Sequence, residues 1–169
     1  LSFSGYLDSI QGKGTFVSEN AKKYEEISSL LSNVSDYSLS SLMEVREMLE
    51  GQSAKLATLR ASDKEIEEIV EAAKKIKEAD NVQEFVLEDL NFHLYIAKVT
   101  HNPLMNTLMN VFGEMLHKET NHIAKESIST REKSLEITEK LVQAMINREA
   151  DQAKDLMIEH IRIVKEAVK

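Results

Sequence analysis

The chain has 169 residues, 42% of them apolar and 30% charged, enough for one domain of ordinary size with its own core. Cysteine is absent, which excludes disulfides, thiolate metal sites and a cysteine nucleophile. With 21 Lys and Arg against 29 Asp and Glu the net charge is −8, and the helical part has no basic cluster interleaved with aromatics, so it is expected to repel nucleic acid. No run of 18 apolar residues and no signal-like start occurs, so no membrane association and a cytoplasmic location are expected. One proline, five glycines and no tryptophan leave mostly helix formers, and the composition predicts an all-α body.

In chain order, Tyr6 to Ile10 alternates apolar and polar residues, Gln11 to Gly14 tolerates positive φ, and Thr15 to Val17 are β-formers. This predicts a β-hairpin, which is not stable alone. Residues 18–34 are polar and Ser-rich and read as a linker with one helical turn near Ile27 to Leu31. Six helices follow from 3.6-residue periodicity and end signals. The first spans about Asp36 to Arg60 with an apolar stripe at Leu42, Val45/Arg46, Leu49, Ser53, Leu56 and Leu59. Ser62 and Glu65 form a capping box that starts the second, which ends near Ala79. Asp80 or Asn81 opens the third, about Val82 to Thr100, and Asn102 with Pro103 opens the fourth. The fourth is expected to stop before the run Ser127 to Thr130, the fifth to cover about Arg131 to Asn147 and the sixth Ala150 to Val168. Short connections make sequential helices antiparallel neighbours, hence a bundle.

The third helix breaks its own pattern. Its inward stripe reads Val82, Val86, Asp89, His93, Ile96 and Thr100, with two ionisable residues at its centre. Positions four apart differ by about 40° on a helix, so Asp89 and His93 point the same way. The sixth helix repeats the anomaly: His160 lies on a stripe with Ala153, Leu156/Met157 and Val164. If both helices face one interior, these three side chains meet around a divalent ion such as Zn²⁺, with ligand atoms roughly 2.0–2.2 Å from it. The alternative is a hydrogen-bonded Asp89–His93 pair with His160 as a satisfied core histidine.

Other motifs carry less. Glu114-x-x-His117 and Glu119-x-x-His122 match the Glu-x-x-His of di-iron bundles, but both copies lie on one helix about 140° apart and cannot serve one centre. His122 falls near an inward stripe, His117 is expected to face solvent, and His101 reads as a loop residue. Gly12-x-Gly14 is a turn, since no helix follows it. Arg46 and Glu50 are spaced for a partly buried i, i+4 ion pair; alternatively Arg46 reaches into the bundle to bind a carboxylate ligand. Met105, Met109, Met115, Met145 and Met157 read as core filler.

These residues resemble a known family over nearly the whole chain. "GYLDSIQGKGTFV" looks like the wing of the winged helix-turn-helix in bacterial GntR-type transcription regulators. "LMEVREMLEGQSAKLA", "EDLNFHLYIAKVTHNPLM" and "AMINREADQAKDLMIEHI" resemble the FCD effector-binding domain of their FadR subfamily. The resemblance implies a wing remnant at 1–19, with at most the final turn of a recognition helix at Leu1 to Ser4, a linker at 20–35 and an effector-binding and dimerisation domain at 36–169. It implies either a fragment of a repressor or a member that has lost its DNA-binding head, with operator DNA met only through a domain largely outside these residues. In metal-binding members one Asp and three His hold the ion and a small carboxylate binds beside it. Asp89, His93 and His160 match three of those positions; the remaining His normally stands 22 residues before the last, which here is Thr138. The ion would then be held by three side chains and water, or by His122 in addition, or the cavity would bind its effector without metal. A regulator domain that binds a small organic acid, through Arg46, Thr138 and a divalent metal, is therefore expected. The rival readings are a metal-dependent enzyme on the same residues and a purely structural dimerisation bundle.

Overall fold

The computed structural model describes residues 7–10, 14–17, 23, 26, 27, 29 and 38–167 except 119; for 7–17, 118–128 and 167 it describes the backbone alone. Strands β1 (Leu7–Ile10) and β2 (Gly14–Val17) pair antiparallel, with Leu7 opposite Val17 and Ile10 opposite Gly14. The hairpin tip lies outside the described residues, as does most of the expected linker, where residues 23, 26, 27 and 29 are helical.

Six helices follow: α1 (Leu39–Arg60), α2 (Asp63–Glu78), α3 (Val82–Val99), α4 (Pro103–Lys118), α5 (Thr120–Ile146) and α6 (Ala150–Ala167). Their starts are set by local chemistry. Ser38 caps α1, and the Ser62–Glu65 capping box is complete at α2. Asn81 caps α3, and Asn102 accepts from the backbone of Leu104 at 3.1 Å, ahead of Pro103 in the first turn of α4. His101 (φ 54) and Arg148 (φ 62) adopt the left-handed conformation that ends α3 and α5. The Arg148 guanidinium donates to the Thr58 and Ala61 carbonyls and pairs with Asp63, tying the α5–α6 turn to the α1–α2 turn.

Two expectations fail, the second in part. The run Ser127 to Thr130 does not end a helix; it lies inside α5. No Gly or Pro stands between 114 and 149, and a few Ser and Thr cost only tenths of a kcal/mol each, too little to break a long helix. The expected stripe of α1 holds only in part: Leu42, Arg46 and Ser53 are buried, but Leu49 and Leu56 are half-buried and Leu59 is 62% exposed, while Met43, Gly51, Ala54, Ala57 and Thr58 are buried beside them. The small residues let α1 approach α6 closely, and a Cβ on Gly51 would sit 2.8 Å from Ile158 Cγ1.

The packing explains where a site can form. Helix α6 lies along both α1 and α5, and α3 packs against α1 and α5 from the other side. The four therefore form a ring in which α3 and α6 face each other diagonally. Met43 (α1), Phe92 and Ile96 (α3), Leu141 and Met145 (α5) and Met157 and Ile161 (α6) fill this interior with fully buried side chains, each worth about 1.5–3 kcal/mol relative to exposure. Helix α2 covers α3 and α5, and α4 packs mainly on α3. Consequently α3 is buried on most of its circumference.

Candidate metal and effector site

At the centre of the ring the apolar packing is interrupted by polar side chains from all four helices. Helix α3 contributes Asp89 and His93, one turn apart as their spacing requires, and α6 contributes His160. One ligand atom from each of the three lies within 4.8 Å of the others, and the two imidazole centroids are 4.9 Å apart. Among the described residues no other group of three His, Asp or Glu side chains converges in this way. His160 Nε2 is 3.2 Å from Asp89 Oδ1, and His93 Nε2 is 3.5 Å from Asp89 Oδ2. These approaches lack hydrogen-bond geometry: Asp89 Oδ1, both ring nitrogens of His93 and His160 Nε2 are buried without a hydrogen-bond partner.

Around this cluster stand residues that the sequence placed elsewhere or did not single out. Glu50 on α1, 1% exposed, lays Oε2 against His93 Nδ1 and receives Arg46 Nε on Oε1 at 2.5 Å. Arg46 and Glu50 thus form the expected i, i+4 pair, but fully buried, and Glu50 belongs to the site. Arg46 Nη1 has the Met43 thioether as its neighbour at 3.5 Å, a weak acceptor, and its Nη2 is a distant 3.4 Å from Glu50. On the far side, α5 places Thr138 Oγ1 at 3.3 Å and Ser134 Oγ at 3.4 Å from His160 Nδ1. The Thr138 hydroxyl gives its proton to the Ser134 carbonyl at 2.9 Å, so toward His160 it accepts. Glu50 was legible only as the partner of Arg46, and Ser134 not at all; both lie on helix faces that turn out to be buried. The side chain of His122 lies outside the described residues. His117 and His101 are exposed, and His101 faces Glu65 at 3.3 Å.

The electrostatics follow from this packing. Burial disfavours the charge on Glu50, but Arg46 and His93 outweigh it and hold the carboxyl at about 2. Burial also opposes a charged His93, yet Glu50 and Asp89 outweigh it and bring the imidazole up to about 9. Asp89 is held well below the usual carboxylate range, against its burial, by His160 and then His93. Without a cation the site therefore keeps a proton on His93 at neutral pH, balancing Arg46 and His93 against Glu50 and Asp89. A carboxylate oxygen and two imidazole nitrogens, buried and unsatisfied at one point, are a donor set that fits a divalent ion such as Zn²⁺.

Thr138 also lines a cleft of about 290 Å³ between α2 and α5, with Val70, Ala73, Leu135 and Val142 as walls and Lys74 and Lys77 along it. No helix among the described residues is long and apolar enough to cross a membrane.

Comparison with known proteins agrees with this architecture. The FCD domain family matches residues 41–163. The chain is 28% identical to the HTH-type transcriptional regulator LutR of Bacillus subtilis, over 99% of this chain and 80% of that protein. It is 26% identical to the Uxu operon transcriptional regulator of Escherichia coli, over 98% of this chain and 67% of that one. The fold superposes on Streptococcus agalactiae GntR with a TM-score of 0.64 at 23% identity, covering 96% of this chain and 75% of that one. The chain belongs to the FCD domain family of GntR-type transcription regulators, and it is a regulatory domain, not an enzyme.

Proposed function

We propose that this domain senses a small organic acid bound beside a divalent metal ion in the interior of the α1–α3–α5–α6 ring. One observation carries the reading: Asp89 Oδ1, His93 Nε2 and His160 Nε2 are buried without hydrogen-bond partners, and the three side chains bring ligand atoms within 4.8 Å of one another. Leaving three such atoms unsatisfied costs several kcal/mol, which a cation would offset. Bound there, the ion would supply Lewis acidity and open positions for a carboxylate or water. Arg46, whose Nη edge has only a thioether and a distant carboxylate oxygen, would take the effector's carboxylate. Thr138 joins His160 to the α2–α5 cleft, and this cleft would be the effector's way in.

In the complete regulator the β1–β2 hairpin would be the wing of a DNA-binding domain, and the helical domain would pair with a second copy. Effector binding would change DNA affinity only as far as the effector binds the two states of the dimer differently. The likeness to proteins named as transcriptional regulators, one of them an operon regulator, supports this regulatory reading.

Calorimetric titration of metal-free and Zn²⁺-loaded protein with a panel of two- to six-carbon carboxylates tests the reading. Binding of at least one acid, tighter in the Zn²⁺-loaded form, is expected. Absence of Zn²⁺ binding together with absence of carboxylate binding overturns it.

A further inference from the structure

Glu50 sits where a metal ligand's orientation is decided. An imidazole buried on all sides can place its proton on either ring nitrogen, and the neighbour of one nitrogen fixes the role of the other. The two histidines at the centre solve this differently. His160 Nδ1 faces a neutral hydroxyl, Thr138 Oγ1, whose proton is already given to Ser134. His93 Nδ1 faces Oε2 of Glu50, a full carboxylate, and both side chains are 2% exposed or less. An ionised carboxylate only accepts hydrogen bonds, so the nitrogen against it must carry the proton. Arg46 Nε, 2.5 Å from Oε1 in the same buried space, keeps that carboxylate anionic and fixes which oxygen turns to His93.

Building on the metal-site reading above, we propose that Glu50 is a positioning residue: its carboxylate, lying against Nδ1, keeps the ring proton of His93 on that nitrogen, and so presents the Nε2 lone pair to the point shared by Asp89 and His160. Arg46 acts one step further back by orienting Glu50. The arrangement is a carboxylate–histidine pair completed by a guanidinium, drawn from α1, and Glu50 itself stays outside the ligand set because it touches the opposite ring nitrogen.

The amide isostere gives a sharp consequence. In Glu50→Gln the amide oxygen is held by Arg46 Nε, and the NH₂ group then lies against His93 Nδ1. That donor forces Nδ1 to accept, moves the ring proton to Nε2 and blocks the ligand position. In the double variant Arg46→Met, Glu50→Gln nothing holds the oxygen away, so the amide can flip and accept from Nδ1 again.

Co²⁺ serves as the probe, with affinity measured by chelator competition and the visible absorption of the bound ion recorded for each variant. Glu50→Gln should lose 10- to 100-fold in affinity, and the double variant should regain most of it. Long-range ¹H–¹⁵N spectra of the Zn²⁺-loaded wild type should show His93 protonated at Nδ1 and coordinated through Nε2. The spectra need no variant, so they decide even if Glu50→Gln does not fold. Coordination through His93 Nδ1, wild-type Co²⁺ affinity in Glu50→Gln, or a double variant weaker than Glu50→Gln overturns the assignment. A wild type that binds neither Co²⁺ nor Zn²⁺ instead overturns the metal-site reading on which it rests.

Discussion

His160 turns Nδ1 toward Thr138 Oγ1, 3.3 Å away, and in doing so commits its other ring nitrogen to Asp89, 3.2 Å from Oδ1. Thr138 thus stands behind His160, on the side of the ring away from Asp89. Thr138→Val keeps the shape and removes the acceptor. The variant leaves His160 Nδ1 only the longer contact to Ser134 Oγ at 3.4 Å; it should weaken Co²⁺ binding about tenfold and cost the metal-free protein about 1 kcal/mol for the lost hydrogen bond. Chelator competition and urea titration read the two effects separately.

Metal removal should lower thermal stability. An ion that binds only the folded chain at a hundredfold excess over its Kd contributes about 2.7 kcal/mol, which for a domain of this size corresponds to a fall in Tm of about 5–10 °C on adding EDTA. Scanning calorimetry with Zn²⁺ and with EDTA measures it. His93→Ala should abolish the difference between the two scans.

The metal-free protein should be most stable in mildly acid solution. The folded pKa of Glu50 is depressed from 4.5 to about 2, so its contribution is present above 4.5 and is lost as pH falls toward 2. The folded pKa of His93 is raised from 6.5 to about 9, so its contribution is full below 6.5 and is lost as pH rises through 9. Urea unfolding with EDTA should therefore give a maximum between about pH 4.5 and 6.5. With Zn²⁺ bound, His93 carries no proton to lose at Nε2, and the alkaline decline should disappear.

Gly51 marks the close approach of α1 to α6. In Gly51→Ala the new Cβ would stand 2.8 Å from Ile158 Cγ1, so that side chain or the helix spacing must shift. The ordinary gain of Ala over Gly inside a helix, about 1 kcal/mol, should be reversed into a net loss of about 1–2 kcal/mol. The double variant Gly51→Ala, Ile158→Val should recover part of it, as read by chemical denaturation.

The sequence by itself determined what is local. The capping residues Ser62, Asn81 and Asn102 and the 3.6-residue periodicity gave five of the six helix starts closely, because a cap or a stripe is set within one or two turns of chain. It also placed Asp89, His93 and His160 on inward faces, since ionisable residues among buried positions need no knowledge of the neighbours. The helix over Ser127 to Thr130 was misread because weak helix formers were given the force of breakers. Only the tertiary structure decided that α3 and α6 stand on a diagonal, so that His93 and His160 meet at one point. It alone turned the small-residue face of α1 inward and brought Glu50 to His93 and Thr138 to His160. Those contacts join segments 22 to 67 residues apart, and nothing in the period of a single helix records which neighbour it will face or at what depth.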